Sequence, residues 1–450
     1  MSGLPIINPL HWGFNGTVRQ TYDPSGTTRL TMRRTKDKIE FRHFVNQYIP
    51  TLKDGHSFRL HHFLFTGILQ TMYLSTADFS KCFPVFYGRE IVEYSDGGAS
   101  TTDWVMKSWE KKYDLDIYGN YKKLEFERDE EATHPDNWPR LHPRTRYFSE
   151  EEKSSVHANE KPLIVIIHGL AGGSHEPMIR SLTAKLSTIA GERFQVVVLN
   201  CRGCARSKIT NKKLFSAFQT GDLKEFLARE KARHPTRKIY AVGFSFGASL
   251  LANYLGEVGD KSDLKAAVTL CNPWDFILCS EKMKNDYWSR NLFSKAITQF
   301  LTRLVKVNMG ELESPEGSVP DHQPSVEDPC LYMCTQSNME RAKKFTQMRQ
   351  FDDMFTAPSL GFSSAEDYYR AGSSINRLHN VQVPLLIINS KDDPIVGPQA
   401  IPYTEAKNNS NVLLLSTDLG GHLAFLNENF DSWINIQIAT FLYKFDEFIE

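Results

Sequence analysis

Six short runs of apolar residues, most of them β-branched, constrain what this chain can become. They are Pro162-Leu-Ile-Val-Ile-Ile-His168, Phe194-Gln-Val-Val-Val-Leu-Asn200, Lys238-Ile-Tyr-Ala-Val-Gly-Phe244, Lys265-Ala-Ala-Val-Thr-Leu-Cys271, Pro384-Leu-Leu-Ile-Ile-Asn389 and Val412-Leu-Leu-Leu-Ser416. Unbroken runs of this length need cover on both faces, which is the condition of strands in a parallel sheet. Helix-period stretches separate or follow them at 178–190, 220–234, 247–256 and 432–447. Such alternation predicts an α/β fold, a doubly wound and mostly parallel sheet with helices on both faces. Arg89-Glu-Ile-Val-Glu-Tyr-Ser and Ser100-Thr-Thr-Asp-Trp-Val, joined at Asp96-Gly-Gly, add two strands and a turn. The expected sheet therefore has eight strands. The alternation lapses between about 275 and 380, where helical and proline-rich segments predict a lid inserted over the carboxyl ends of the strands. Residues 1–87 read as an N-terminal cap and 88–450 as the main domain carrying that lid. Residues 108–160, charged and proline-punctuated, read as surface loop.

Composition excludes several function classes. Lys plus Arg equals Asp plus Glu at 53 each, so the net charge is zero and nothing favours a nucleic-acid partner. The seven cysteines are odd in number and scattered, which points to a reducing compartment and no disulfide framework. The N-terminus lacks a signal-peptide pattern, Ser2 stands where myristoylation needs glycine, and no run is long enough to span a membrane. Asn15-Gly-Thr and Asn408-Asn-Ser match a glycosylation pattern that means little without secretion. The expectation is an intracellular, cytoplasmic protein without a transmembrane segment. The apolar segment 63–74 is expected to lie on the protein as a helix, and it or an apolar lid could give peripheral contact with lipid droplets or membranes.

Gly243-Phe-Ser245-Phe-Gly247 ends one predicted strand and opens a predicted helix. At roughly 7% background for each fixed residue, Gly-x-Ser-x-Gly arises by chance ~0.15 times in such a chain. Its strand-to-helix context is that of a nucleophile elbow, the strained turn that exposes a serine hydroxyl in the α/β-hydrolase fold. Serine needs a base, and the base needs an orienting carboxylate, in the chain order serine, acid, histidine. Asp393, at the end of the strand-like run Leu385-Leu-Ile-Ile-Asn-Ser-Lys-Asp-Asp393, is the expected acid. Asp392 is its neighbour and rival, and Asp275, after Asn272-Pro-Trp, is an alternative on an earlier strand. His422, reached through a strand and Gly420-Gly421, is the expected base. The backbone amides of Phe246 and Leu170, the latter in the glycine-rich loop His168-Gly-Leu-Ala-Gly-Gly-Ser174, are the expected oxyanion donors. His168 reads as a residue that shapes this loop. Cys201-Arg-Gly-Cys204 has metal-ligand spacing but no second pair at zinc-ribbon distance, so it reads as loop. No metal or cofactor is expected.

With these residues in place, the chain resembles α/β-hydrolase subfamily four, the YheT-like hydrolases. The similarity lies in His168-Gly-Leu-Ala-Gly-Gly-Ser-His-Glu-Pro177, Asn200-Cys-Arg-Gly-Cys204, Gly243-Phe-Ser-Phe-Gly247, Asn253-Tyr-Leu-Gly256 and Asp392-Asp-Pro-Ile-Val396. Phe351-Asp-Asp, Leu360-Gly-Phe, Glu366-Asp-Tyr-Tyr and Ser373-Ser look like a family signature within the lid. Pro9-Leu-His-Trp-Gly13, Phe65-Thr-Gly-Ile-Leu-Gln-Thr71, Phe86-Tyr-Gly-Arg-Glu-Ile91 and Ala132-Thr-His-Pro135 are similar to the fungal medium-chain fatty-acid ethyl ester synthase/esterases. That resemblance implies transfer of a medium-chain acyl group from acyl-CoA, as substrate, to ethanol or water through an acyl-serine. Ser245, Asp393 and His422 carry over as the charge-relay residues. Phe244 departs from the small or sulfur residue of some relatives, and Cys201 stands at a position expected to vary; either bears on acyl or acceptor preference. A monoacylglycerol lipase or phospholipase of the same fold fits the same residues, and a non-catalytic acyl-binding module is the alternative of another class.

Overall fold

The computed structural model describes residues 14–450, so Ser2, the Pro9–Gly13 motif and the start of the cap lie outside the described residues. Thirteen strands follow in chain order: β1 (Asn15–Thr21), β2 (Arg29–Thr31), β3 (Lys38–Glu40), β4 (Ser57–Arg59), β5 (Tyr87–Glu93), β6 (Ala99–Val105), β7 (Thr145–Tyr147), β8 (Leu163–Ile167), β9 (Gln195–Asn200), β10 (Ile239–Phe244), β11 (Leu264–Leu270), β12 (Leu385–Ser390) and β13 (Val412–Thr417). Eleven form one sheet in the order β4-β1-β13-β12-β11-β10-β8-β9-β6-β5-β7, and β2 and β3 form a separate pair. Strands β8 to β13 run parallel, with β10 at the centre between β8 and β11. The β5–β6 hairpin joins antiparallel to β9.

The eight strands expected from sequence are all in this sheet, and β1, β4 and β7 extend it. These three escaped the reading because they carry little of its signal. β4 and β7 have three residues each. β1 buries only two of its seven residues, Gly16 and Val18. The described part of the N-terminal segment is thus tied into the sheet, because β1 pairs antiparallel with β13 (Val18 opposite Thr417) and with β4.

Alternate residues of each strand feed two cores. From β8, Ile164 and Ile166 face one layer with the helices Pro177–Glu192 and Trp433–Phe448. Leu163, Val165 and Ile167 face the other, with Gly221–Arg233 and Phe246–Val258. Each such fully buried Ile, Leu or Val contributes about 1.5–3 kcal/mol.

Residues 108–160 are more regular than their charge suggested. Helices Lys107–Lys112, Lys123–Thr133 and Glu150–His157 flank β7. They are anchored by few but large groups: Trp109, Tyr113 and Phe126 pack with Phe86, and the Arg146 guanidinium lies 3.7 Å over the Trp109 ring. Each of these helices buries a single side chain, Trp109, Phe126 or Val156, and leaves the rest polar or half-exposed, which is why periodicity missed them.

Between β11 and β12 the chain leaves the sheet for more than a hundred residues, a span that holds Phe276–Asn285, Lys295–Val307, Gln336–Ala342 and Ala365–Gly372 among its helices. Leu301, Leu304, Val305, Phe351 and Phe355 form a core of their own there, against which Leu170 and Phe246 pack. This insertion roofs the carboxyl ends of the strands.

Candidate active site

Ser245 occupies the turn between β10 and the helix that starts at Phe246, at φ 50° and ψ −119°. A non-glycine residue holds such a conformation only when its surroundings enforce it. Here the enforcement comes from two glycines. A Cβ on Gly243 would lie 2.6 Å from Ala248 Cα, and one on Gly247 would lie 2.3 Å from the His168 carbonyl oxygen. Their absence lets the turn close and brings the oxyanion loop against the helix.

The elbow aims the hydroxyl at His422, whose Nε2 is 2.9 Å from Ser245 Oγ. His422 Nδ1 is 2.8 Å from Asp393 Oδ2. The other carboxylate oxygen of Asp393 accepts from the Ile395 and Val396 amides at 2.7 and 3.0 Å. Asp393 is 1% exposed and His422 8%, so the chain of bonds runs out of solvent. The geometry brings Ser245, His422 and Asp393 together and separates them from both rival acids. Asp392 accepts from the Gly421 amide at 2.9 Å, and burial pushes its carboxyl up to about 6. Asp275 caps the helix Phe276–Asn285, accepting from the Ile277 and Leu278 amides at 2.9 and 3.0 Å.

Leu170 and Phe246 line the cavity at Ser245. Neither backbone amide has a backbone acceptor among the described residues, which leaves both available to an incoming oxyanion. The loop between them is held from behind. His168 Nε2 accepts from the Cys201 amide at 3.0 Å, so its Nδ1–H donates to the Gly169 carbonyl at 2.7 Å; burial lowers its pKa to about 4 and keeps it neutral. Ser174 donates to Asp103, which is bound bidentately by Arg89 at 2.7 Å in a fully buried pair. The Cys201 and Cys204 thiols are free, and burial raises both, Cys201 to about 12.

Sequence reasoning overlooked Thr71, Cys271 and Glu176. Thr71 and Cys271 contact the His422 loop directly, and Glu176 lines the cavity, its carboxyl pushed up by burial to about 7. The available signals were the position of Cys271 at the end of a strand and of Glu176 in the oxyanion-loop motif. Thr71 lies too far from the triad in sequence to have one.

The cavity above Ser245 has a volume of about 590 Å³, within the roughly 300–1,000 Å³ of small-molecule sites. Phe215, Phe276, Met283, Phe293, Ile297 and Leu301 give it an apolar wall drawn mostly from the lid. Among the described residues, two groups could chelate an ion: Cys271, Asp393 and His422, and on the surface His61, His62 and Glu428. In the first, an ion would have to break the bond between His422 and Asp393. In the second, Arg59 already lies 3.3 Å from Glu428. What the geometry can do is attack a carbonyl with an activated serine inside an apolar, roofed cavity.

Residues 162–429 match the alpha/beta hydrolase fold family. Over its whole length the chain is 56% identical to the medium-chain fatty acid ethyl ester synthase/esterase 2 of Saccharomyces cerevisiae, covering 99% of that protein. It is 30% identical to the monoacylglycerol lipase of the same yeast over 94% of this chain and 89% of that protein. With the putative esterase YheT of Escherichia coli it shares 28% identity over 66% of this chain and 80% of that protein. The chain therefore belongs to the α/β-hydrolase fold family, in the group that holds the fungal medium-chain fatty acid ethyl ester synthase/esterases and YheT.

Proposed function

We propose that this protein forms and hydrolyses medium-chain fatty-acid ethyl esters, taking the acyl group from acyl-CoA and using Ser245, His422 and Asp393 as its reacting triad. The observation that carries the reading is the continuous relay from Asp393 through His422 to Ser245 at the floor of an apolar cavity. The His422 Nδ1–H donates to Asp393, and the Ser245 hydroxyl donates to Nε2. Ser245 Oγ attacks the thioester carbonyl carbon while its proton passes to His422 Nε2. The carbonyl oxygen, now negative, accepts from the Leu170 and Phe246 amides. The carbon–sulfur bond breaks, His422 returns the proton to the departing thiolate, and an acyl-Ser245 ester remains. Ethanol or water then attacks this ester, losing its proton to His422, and the Ser245 oxygen leaves and recovers that proton. Acyl-CoA is substrate in this scheme, and no metal or cofactor takes part.

Both products descend from one intermediate, so ethanol and water compete for it. With octanoyl-CoA, raising ethanol should increase ethyl octanoate at the expense of octanoate, as chromatography of both products would show. Octanoate formation untouched by ethanol would reduce the reading to a thioesterase or esterase. Release of neither product would overturn it and favour monoacylglycerol or phospholipid substrates, which the 30% identical lipase makes the next class to assay.

The reading extends to location. All seven cysteines are free, which suits the cytoplasm. No described helix is long and apolar enough to cross a membrane. The lid nevertheless exposes Tyr287 (51%), Phe300 (58%) and Val307 (67%). Lys284, Arg290, Lys295, Arg303 and Lys306 lie along the same stretch. Aromatic and aliphatic groups beside cations suit the surface of a lipid droplet or an organelle membrane. Phe300 and Lys284 also line the cavity, so its mouth opens on this face. The protein should float with purified lipid droplets in a density gradient, and Phe300→Ser with Val307→Ser should reduce flotation. Recovery of the unmodified protein entirely in the soluble fraction would sink this assignment.

A further inference from the structure

The loop that carries His422 is backbone under tension. Gly420, Gly421, Leu423 and Phe425 all have positive φ, at 156°, 64°, 68° and 46°. Leucine and phenylalanine do not adopt this region unaided, so something outside the loop must hold it. Side chains from three other segments supply the hold, each taking one backbone amide. Asp392 accepts from Gly421 at 2.9 Å, Thr71 Oγ1 from His422 at 2.8 Å, Cys271 Sγ from Leu423 at 3.4 Å and Gln70 Oε1 from Leu426 at 2.8 Å.

Two of these four come from one helix, Gly67–Thr76, in the N-terminal segment. It is seated tightly. A Cβ on Gly67 would fall 2.1 Å from the Asp392 carbonyl oxygen, and one on Gly421 would fall 2.5 Å from the Gly67 carbonyl oxygen. Thr71 is 3% exposed and donates its own hydroxyl proton to the Gly67 carbonyl at 2.7 Å. Its oxygen is thereby oriented to accept from the amide of His422. Gln70, 1% exposed, donates to the Leu64 and Leu426 carbonyls at 3.0 and 3.3 Å while accepting from Leu426. The same helix places Thr71, Met72, Leu74 and Ser75 in the wall of the cavity.

We infer that Thr71 is a positioning residue for the reaction, fixing the His422 backbone so that its imidazole spans Ser245 and Asp393, and that the helix Gly67–Thr76 is part of the active site. The inference rests on the proposed roles of Ser245, His422 and Asp393. It identifies as functional a segment more than 80 residues before the family match begins at residue 162. The relay has 2.8 and 2.9 Å contacts on either side of one ring, and a displacement of that ring by about 1 Å costs on the order of 10²-fold in rate.

The test compares Thr71→Val, which keeps the shape and removes the acceptor, with Thr71→Ser, which restores it. Thr71→Val should lower kcat with octanoyl-CoA by on the order of 10²-fold. Its KM should change little, and labelling of Ser245 by a fluorophosphonate should slow in parallel. Thr71→Ser should recover most of the rate, and circular dichroism should show all variants folded. Wild-type kcat in a folded Thr71→Val would overturn the inference, as would equal damage in Thr71→Ser, which would point to packing alone. If Thr71→Val does not fold, Gln70→Met, which releases the other end of the same loop, must slow kcat and labelling without raising KM, or the inference fails. Ser245→Ala, measured alongside, separates the two levels. Activity surviving in it would remove the triad reading itself, whereas its loss with a fully active Thr71→Val would remove only the role of Thr71.

Discussion

Ser245→Ala is expected to reduce kcat/KM for both ester synthesis and ester hydrolysis by about 10⁶-fold, as loss of the nucleophile does in other triad enzymes. The expectation follows from geometry. Ser245 Oγ lies 2.9 Å from His422 Nε2 at the floor of the cavity, and among the described residues lining it no other hydroxyl or thiol is hydrogen-bonded to a histidine side chain. Cys279 lines the same cavity, but burial and the nearby Asp393 and Asp275 carboxylates hold its thiol protonated. Alanine also removes the atom to which the acyl group is transferred, so synthesis and hydrolysis should fall together. The measurement is simultaneous quantification of ethyl octanoate, octanoate and released CoA. Loss of one product with retention of the other would mean that the two reactions do not share an intermediate.

Asp393→Asn is expected to cost on the order of 10⁴-fold in kcat, because an amide in place of the carboxylate favours the wrong tautomer of the neighbouring imidazole. Asp392→Asn should cost far less. Its Oδ1 accepts from the Gly421 amide, a bond that the carbonyl oxygen of asparagine can keep. The pair of variants, assayed for kcat with thermal melting as a control on folding, decides between two adjacent acids that sequence could only rank. The reverse order of effects would assign the relay to Asp392 and contradict the geometry.

The contrast between these acids also shows where sequence was informative. The six apolar runs were legible because a strand buried on both faces is apolar along most of its length, and all six are strands of the sheet. Gly243 and Gly247 were legible as an elbow because the turn has no room for side chains at either position. Chain order pointed to Asp393 and His422, but the choice between Asp392 and Asp393 depended on which carboxylate faces the imidazole. A one-residue difference in an irregular loop leaves no periodic trace. The strands β4 and β7 were missed because three-residue edge strands are too short to produce a pattern, and β1 because only two of its seven residues are buried. The helix Gly67–Thr76 was expected as a helix lying on the protein. Its role could not be foreseen, because its decisive atoms are a threonine hydroxyl and a glutamine amide acting on backbone some 350 residues away. Polar contacts between distant segments are set by the tertiary fold, and sequence periodicity does not report them.

The central claim is that the acyl group passes through Ser245. The most direct measurement is to mix the protein with octanoyl-CoA, quench in acid within the first turnovers and map the modified peptide by mass spectrometry. The account predicts one octanoyl group on the peptide containing Ser245, absent in Ser245→Ala, accumulating further in His422→Ala treated with a more reactive acyl ester, and discharged faster when ethanol is present. CoA release without any acylated peptide, or an octanoyl group on Cys201, Cys204 or Cys279 instead, would contradict it.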